Sequence, residues 1–279
     1  MPVDELLSSK AEQFRSLHAQ QSVLVLPNAW DAASAAVIAA AGAPAIATTS
    51  GGVSWSLGRG DGQRLGRDEM TAAVRRVAAT VDVPVTADVE GGYGPAPADV
   101  AATVRAVAEA GAVGVNLEDS RAPGGPLFDV AEQAARLRAA RDAAAAAGLP
   151  ALFVNARTDV FLFGIGPAEG RLDDVLTRTA AYAEAGADGI FVPGLLDLDT
   201  LSTLCAKSPL PVNAMAVAGG PTVAELARAG VRRISLGTAL AQAAYTATRR
   251  AAAELLDAGT LTTLTGTLDF GELNALFRP

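Results

Sequence analysis

The 279-residue chain has one histidine, His18, and one cysteine, Cys205. A single thiol excludes an intramolecular disulfide and gives no sign of a cross-linked secreted scaffold. A single imidazole excludes a histidine-rich zinc centre and argues against Ser-His-Asp and Cys-His catalysis. Proton transfer must then rely on carboxylates, tyrosine, lysine, arginine or water. His18 falls in a polar N-terminal helix, where a surface position is expected. Cys205 falls in a helical stretch and reads as an inert core thiol.

Clustered positive charge is also missing. The net charge is −8, with no Lys/Arg stripe, so nucleic-acid binding is not expected. An anionic substrate would need a locally basic pocket. Met1 to Ala19 lacks the apolar segment of a signal peptide, and the long apolar stretches are broken by Gly, Pro or charge. No membrane span is expected, and a cytoplasmic location is the default.

What is present is apolar residue, 50% of the chain, enough to bury a large core. A short pattern recurs: a helix ending in Ala-Gly, a spacer, then an apolar run. It occurs at Gly42, Gly111, Gly186 and Gly230. Glycine suits the left-handed position that ends a helix, and the run suits a strand buried on both faces. Eight strands are expected, near Val23–Leu26, Ala45–Thr49, Val83–Asp88, Gly114–Glu118, Leu152–Ala156, Gly189–Val192, Pro211–Met215 and Arg233–Leu236. Alternation with Ala-rich helices implies an α/β fold with parallel strands, and eight units imply a (β/α)₈ TIM-type barrel. A doubly wound sheet is the structural alternative. The reading is one barrel domain over residues 1–279, with 238–279 as a C-terminal helical extension. In that extension Ala241–Ala258 reads as a helix ended by Gly259, Thr260–Thr267 as a loop, and Asp269–Phe277 as a short helix N-capped by Asp269.

Barrel chemistry collects at the C-terminal ends of strands. Asp88 and Glu90 end the third strand and, two apart in extended chain, face one side. Glu118 ends the neighbouring strand. Three carboxylates at one rim call for a cation, and oxygen ligands with open positions suit Mg²⁺, with Mn²⁺ as a substitute. The plainer alternative is helix capping and surface pairing. Ser50-Gly51-Gly52 offers a hydroxyl and successive N–H groups for a carboxylate or oxyanion. Arg157 can grip an anionic group through two parallel hydrogen bonds, or pair with Asp159 or a rim carboxylate. Gly91-Gly92-Tyr93-Gly94 permits close backbone approach, and Tyr93 or water can complete proton transfer. Trp30 and Trp55 stand near the ends of the first two strands, where they line a pocket or pack.

These residues resemble the isocitrate lyase/phosphoenolpyruvate mutase superfamily from about Leu26 to Gly237. The carriers are Pro27-Asn28-Ala29-Trp30-Asp31, Thr49-Ser50-Gly51 with Gly58 and Asp61, Ala87 to Gly94, Leu117-Glu118-Asp119, and Ala156-Arg157-Thr158-Asp159. The resemblance implies Asp88 as direct Mg²⁺ ligand, with Glu90 and Glu118 holding metal-bound waters. It implies Asp61 as a loop aspartate acting in the chemistry and Ser50, Gly51 and Gly52 as a clasp for carboxylate and enolate oxygen. Arg157 becomes the anion-gripping arginine, and Asn213 contacts the substrate's far end. Members make or break C–C or P–C bonds next to a 2-oxo acid, often as homodimers or homotetramers that exchange a C-terminal helix. Ala241–Ala258 or the segment after it would serve that way.

One departure matters. Lyases of the superfamily carry a Lys-Arg/Lys-Cys-Gly-His loop after the Glu-Asp pair. Here Ser120 to Pro126 has no Cys, Lys or His and is short. The phosphonate mutases' Lys and Asn are absent too, and Glu90 stands where a second Asp is commoner. The expected function is therefore oxaloacetate-type decarboxylation, or hydrolysis of an acyl or phosphonyl pyruvate, on a small anionic 2-oxo or 2-hydroxy acid. A cysteine-independent lyase, a P–C mutase and a catalytically silent metabolite-binding barrel are the alternatives.

Overall fold

Pro27 divides the first strand in two. It has no N–H to donate to a ladder, and the computed structural model, which describes residues 5–277, shows β1 (Leu24–Leu26) before it and β2 (Asn28–Ala29) after it. The other strands are β3 (Ile46–Thr48), β4 (Val85–Asp88), β5 (Gly114–Glu118), β6 (Phe153–Arg157), β7 (Gly189–Phe191), β8 (Val212–Met215) and β9 (Arg233–Ser235). All pair in parallel, in the order β1-β9-β8-β7-β6-β5-β4-β3-β2. The two ends of the sheet are thus consecutive pieces of chain, one bonded to β9 and the other to β3, and the sheet wraps into a (β/α)₈-type barrel. The eight expected strands are all there; the ninth is the part of the first that lies beyond Pro27. No reversal of strand order occurs, which removes the doubly wound alternative.

The glycines of the repeated Ala-Gly pattern do end helices. Gly42, Gly111, Gly186 and Gly230 all take φ between 93° and 99°. Alanine-rich helices such as Pro97–Glu109 and Val130–Ala146 then pack closely on the barrel.

The N-terminal helix Glu5–Ala19 closes the barrel floor through Ala11, Phe14 and His18, which share one face at helical spacing. This corrects the expected surface position of His18. Its ring is buried, stacks on Phe153 at 3.9 Å and meets Phe14 edge-on at 4.8 Å. Burial and then the Arg233 charge push its pKa down to about 3. The polar sequence around His18 is the solvent face of an amphipathic helix, and composition alone hid the other face.

Above this floor the interior is polar where barrels usually hold branched apolar layers. Asn155 Nδ2 donates to Asn116 Oδ1 at 2.9 Å and to Asn213 Oδ1 at 3.1 Å, and Arg233 Nη2 donates to Asn116 Oδ1 at 3.1 Å. Asn213 also donates to Ala214 O, Arg233 O and Ser235 Oγ at 2.8, 3.2 and 3.2 Å, so its amide is filled inside the barrel.

The C-terminal helix runs Ala239–Ala258 and ends at Gly259, whose φ is 67°. A short helix, Phe270–Asn274, follows with Asp269 as its N-cap. One turn of 3₁₀ helix, Thr262–Leu264, interrupts the expected loop. Among the described residues no helix is long and apolar enough to cross a membrane.

Candidate active site

The ends of β4, β5 and β6 bring Asp88, Glu90, Glu118 and Arg157 to one rim, and the end of β3 leads into Ser50. Ser50, Gly51 and Gly52 are the first turn of a short helix, Ser50–Ser56, rather than an open loop. Its first internal bond runs from Val53 N to Thr49 O at 3.0 Å, so the N–H groups before it need partners from outside. Ser50 N–H takes Asp88 Oδ2 at 3.1 Å. Gly51 and Gly52 are required by close approach: a Cβ on Gly51 would lie 2.8 Å from Thr238 Cγ2 and 3.0 Å from Asp61 Oδ2, and one on Gly52 2.7 Å from Trp30 Cβ. Their small size brings the Asp61 loop and the C-terminal helix up to the site.

Extended-chain geometry does not survive past Asp88. Strand β4 ends there, and Glu90 is left-handed, with φ 50°. The two residues remain neighbours by another route, since Glu90 N donates to Asp88 Oδ1 at 3.4 Å. Glu118 N donates to Glu90 O at 3.0 Å, tying the two strand ends together. Glu90 is 2% exposed; one carboxylate oxygen accepts from Gln63 N–H, and the other, Oε1, has no partner. Burial and the adjacent Asp88 charge push its carboxyl up to about 8. Burial also raises the Glu118 carboxyl, against the pull of Arg157. Asp61 is raised by burial and by Asp88, although Gly62 N–H and the Ser50 hydroxyl hold its charged form. Three carboxylates therefore converge where solvation is poor, with the exposed Asp61 close enough at their edge to feel the Asp88 charge.

Arg157 is the cation that answers them. Nη1 lies 3.0 Å from Glu118 Oε2, and Nε lies 2.6 Å from the fully buried Asp159. Burial alone would lower its pKa; Glu118 and Asp159 outweigh it and hold the guanidinium charged. Both pairings open in the sequence are made. Two fixed contacts leave further N–H groups of the five for a ligand. Tyr93 is left-handed, with φ 58°, and its buried hydroxyl has no partner. Burial and the Glu90 and Asp88 charges push its pKa well above the usual range, so it can donate a hydrogen bond but not act as a base. Trp30 and Trp55 both meet Tyr245 of the C-terminal helix, with centroids at 6.3 and 6.4 Å.

Sequence reasoning missed what lies behind this layer. Ser120 Oγ donates to Asp159 Oδ2 at 2.6 Å, and Asp159 N donates to Asp119 Oδ1 at 3.1 Å. Asp119 Oδ2 in turn accepts from Arg178 Nη1 at 3.1 Å and Tyr182 Oη at 2.9 Å. Asp119 and Asp159 stood in the recognised motifs; Arg178 carried no local signal. The loop after Glu118 is a small closed hairpin, with Ser120 bridged to Leu127, and Arg121 N donates to Pro126 O at 3.0 Å. Pro123 covers Gly62, where a Cβ would fall 2.3 Å from Pro123 Cγ. The loops after β3 and β5 thus meet over the carboxylates.

These residues fit a hard cation held largely through water. The unpartnered Glu90 Oε1 and the mutually raised carboxyls want positive charge. Among the described residues no three acidic, His or Cys side chains stand close enough to grip one ion together.

Residues 14–256 match the phosphoenolpyruvate phosphomutase family. An uncharacterized protein of Mycobacterium tuberculosis H37Rv is 38% identical over 244 residues, covering 88% of this chain and 89% of that one. A lyase/mutase candidate from Burkholderia cenocepacia J2315 superposes with a TM-score of 0.90 at 38% identity, covering 98% of this chain and 96% of that one. Oxaloacetate acetylhydrolase in complex with its product oxalate superposes with a TM-score of 0.85 at 26% identity, over 96% and 94% of the two chains.

Proposed function

Since the chain belongs to the phosphoenolpyruvate phosphomutase family, within a superfamily of lyases and mutases, we propose that it is a Mg²⁺-dependent enzyme cleaving the C–C bond next to the carbonyl of a small 2-oxo diacid, by decarboxylation or hydrolysis of the oxaloacetate type. The observation that carries this is the rim cluster itself: Asp88, Glu90 and Glu118 shielded from solvent, with the exposed Asp61 at their edge, faced by Arg157 and by the start of the Ser50 helix.

Asp88 would hold the ion directly, and Glu90 and Glu118 would hold its waters. The ion would supply Lewis-acid polarisation of the carbonyl oxygen. The chain does the rest. Gly51 and Gly52 N–H groups, at the positive end of a helix, stabilise charge developing on carboxylate and enolate oxygens. Arg157 orients the anionic substrate with the donors that Glu118 and Asp159 leave free. Tyr93, kept protonated, donates a hydrogen bond from its unpartnered hydroxyl. Asp61, with a raised carboxyl, holds or takes a proton at the edge of the cluster. The hairpin at 120–127 excludes water without adding an acid of its own. Oxaloacetate acetylhydrolase and an oxaloacetate decarboxylase of Pseudomonas fluorescens are both similar to this chain, which supports a 2-oxo diacid as substrate.

The test is turnover. The purified chain with Mg²⁺ is offered oxaloacetate, C4–C6 hydroxy diacids and phosphonopyruvate, and pyruvate, oxalate and phosphate are assayed. Release of pyruvate or oxalate from the 2-oxo diacid supports the reading. No turnover of any of them, with no Mg²⁺-dependent ligand binding, overturns it in favour of a silent barrel. An Asp88→Ala variant with full activity overturns the metal assignment. The apolar surface of the C-terminal segment supports assembly as a homodimer or homotetramer, and nothing in the sequence calls for a location outside the cytoplasm.

A further inference from the structure

Arg136 lies on the helix Val130–Ala146, outside every motif that marks the site, yet it is 1% exposed. Its hydrogen bonds go to neutral acceptors. Nη1 donates to Gly94 O at 2.9 Å and Pro95 O at 2.6 Å, Nη2 donates to Gly91 O, and Nε donates to Gln133 Oε1 at 2.9 Å. Gln133 Nε2 continues to Glu118 O at 3.2 Å. The guanidinium carbon sits over the Phe128 ring, 4.1 Å from its centroid. One side chain thus binds three carbonyls of the loop after β4 and, through Gln133, the end of β5.

That loop is strained. Among the described residues only Gln63, Glu90 and Tyr93 are non-glycine residues at positive φ; Glu90 and Tyr93 flank Gly91 and Gly92. Left-handed backbone costs each such residue about 1 kcal/mol or more and persists only where surroundings enforce it. Charge-assisted bonds to Gly91, Gly94 and Pro95 carbonyls are that enforcement. The Asp99 and Glu132 charges offset part of the cost of burying this guanidinium, but no carboxylate hydrogen-bonds it and burial still lowers its pKa, so it is a poor choice for fold stability alone.

We propose that Arg136 is a positioning residue that locks Glu90 and Tyr93 in their left-handed geometry and keeps the Glu90 and Glu118 strand ends in register. It touches neither ion nor substrate. The proposal rests on the reading of Asp88, Glu90 and Glu118 as the cation's holders. A lysine ammonium is a point donor and cannot span three carbonyls, so Arg136→Lys restores the site only in part.

The test uses the full chain with Mn²⁺ as probe, comparing wild type, Arg136→Met, Arg136→Lys and, as control, Arg141→Met at the far end of the same helix. Two quantities are measured: Mn²⁺ affinity by calorimetry, and amide exchange of residues 90–95 without metal. Loss of a group that orients metal-holding residues costs about 10- to 100-fold in affinity. Arg136→Met should lose that much and exchange Gly92 and Tyr93 amides at least about tenfold faster, with Arg136→Lys between; Arg141→Met should change neither. If Arg136→Met does not fold, Arg136→Lys carries the same two readings. Unchanged exchange overturns the proposal, and so does wild-type Mn²⁺ affinity in a loosened loop. A wild type that binds no Mn²⁺ overturns the metal reading instead, while the exchange result still decides for or against Arg136.

Discussion

Glu118 and Arg157 are register partners on β5 and β6, and 3.0 Å separates Oε2 from Nη1. The arginine proposed to grip the substrate thus also steadies a rim carboxylate, while its Nε is fixed to Asp159 at 2.6 Å. Lysine keeps the charge but cannot serve Glu118, Asp159 and a substrate at once. Losing a charge-assisted hydrogen bond costs about 1.5–3 kcal/mol. Arg157→Lys is expected to lower kcat/KM by about 10- to 100-fold and to leave Mn²⁺ affinity within about threefold. Steady-state kinetics and calorimetry check this. A parallel loss in both would assign Arg157 to the carboxylates rather than to substrate.

The raised Glu90 carboxyl makes cation binding depend on pH. With a native value of about 8, Glu90 carries a proton at neutral pH that a cation must displace. Affinity should weaken by up to about tenfold for each pH unit below 8. Without metal the sign is opposite for stability. Between the ordinary carboxyl value of 4.5 and about 8 the native state keeps a proton that the unfolded chain has released. The stability this supplies is lost as pH rises through 8. Mn²⁺ titrations at several pH values should show the slope in wild type and a flatter one in Glu90→Gln; a flat wild-type profile removes Glu90 from the cation's surroundings.

The barrel was legible because its signals are local and repeated. Gly42, Gly111, Gly186 and Gly230 punctuate it, and the rim carboxylates end strands that the apolar runs locate. What was not legible depends on contacts between distant segments. Nothing near Arg136 says that it points inward at Gly91 and Gly94. The bonds that Asn213 makes to Asn155 and Ser235 across the barrel could not be read from its own strand. The Asp88-x-Glu90 spacing was right about proximity and wrong about its cause, because Glu90 turns left-handed and is held by Gln63 N–H.

His18 gives a titration remote from the rim. Its native value of about 3 lies below the ordinary 6.5, so between those values the unfolded chain binds a proton that the native state refuses. The stability that neutral His18 contributes is present above 6.5 and lost as pH falls toward 3, at about 1.4 kcal/mol per unit. Replacement by Phe removes the titration. Chemical denaturation at pH 7.5 and 5 should show the gap between wild type and His18→Phe shifting by about 2 kcal/mol in favour of the variant at the lower pH. A constant gap would mean that His18 protonates in place.

The C-terminal segment is built to meet something apolar. Of the helix Ala239–Ala258 only Ala241 is buried, while Leu256 is 86% and Phe270 83% exposed. The segment is nonetheless held in shape: the Glu254 carboxylate accepts from the Thr260 and Thr262 hydroxyls, each at 2.6 Å, and from Thr263 N–H at 2.9 Å. Ordered apolar surface of this kind marks an interface, and a second copy of the chain is the partner expected here. Burying a Leu or Phe side chain contributes about 1.5–3 kcal/mol. Leu256→Asp with Phe270→Asp should therefore weaken self-association by more than about a hundredfold while leaving the barrel folded. Sedimentation velocity over a range of concentrations reads this directly. Wild type running as a 28.1 kDa monomer throughout would overturn the expectation, and an assembly unaffected by both aspartates would move the interface elsewhere on the barrel.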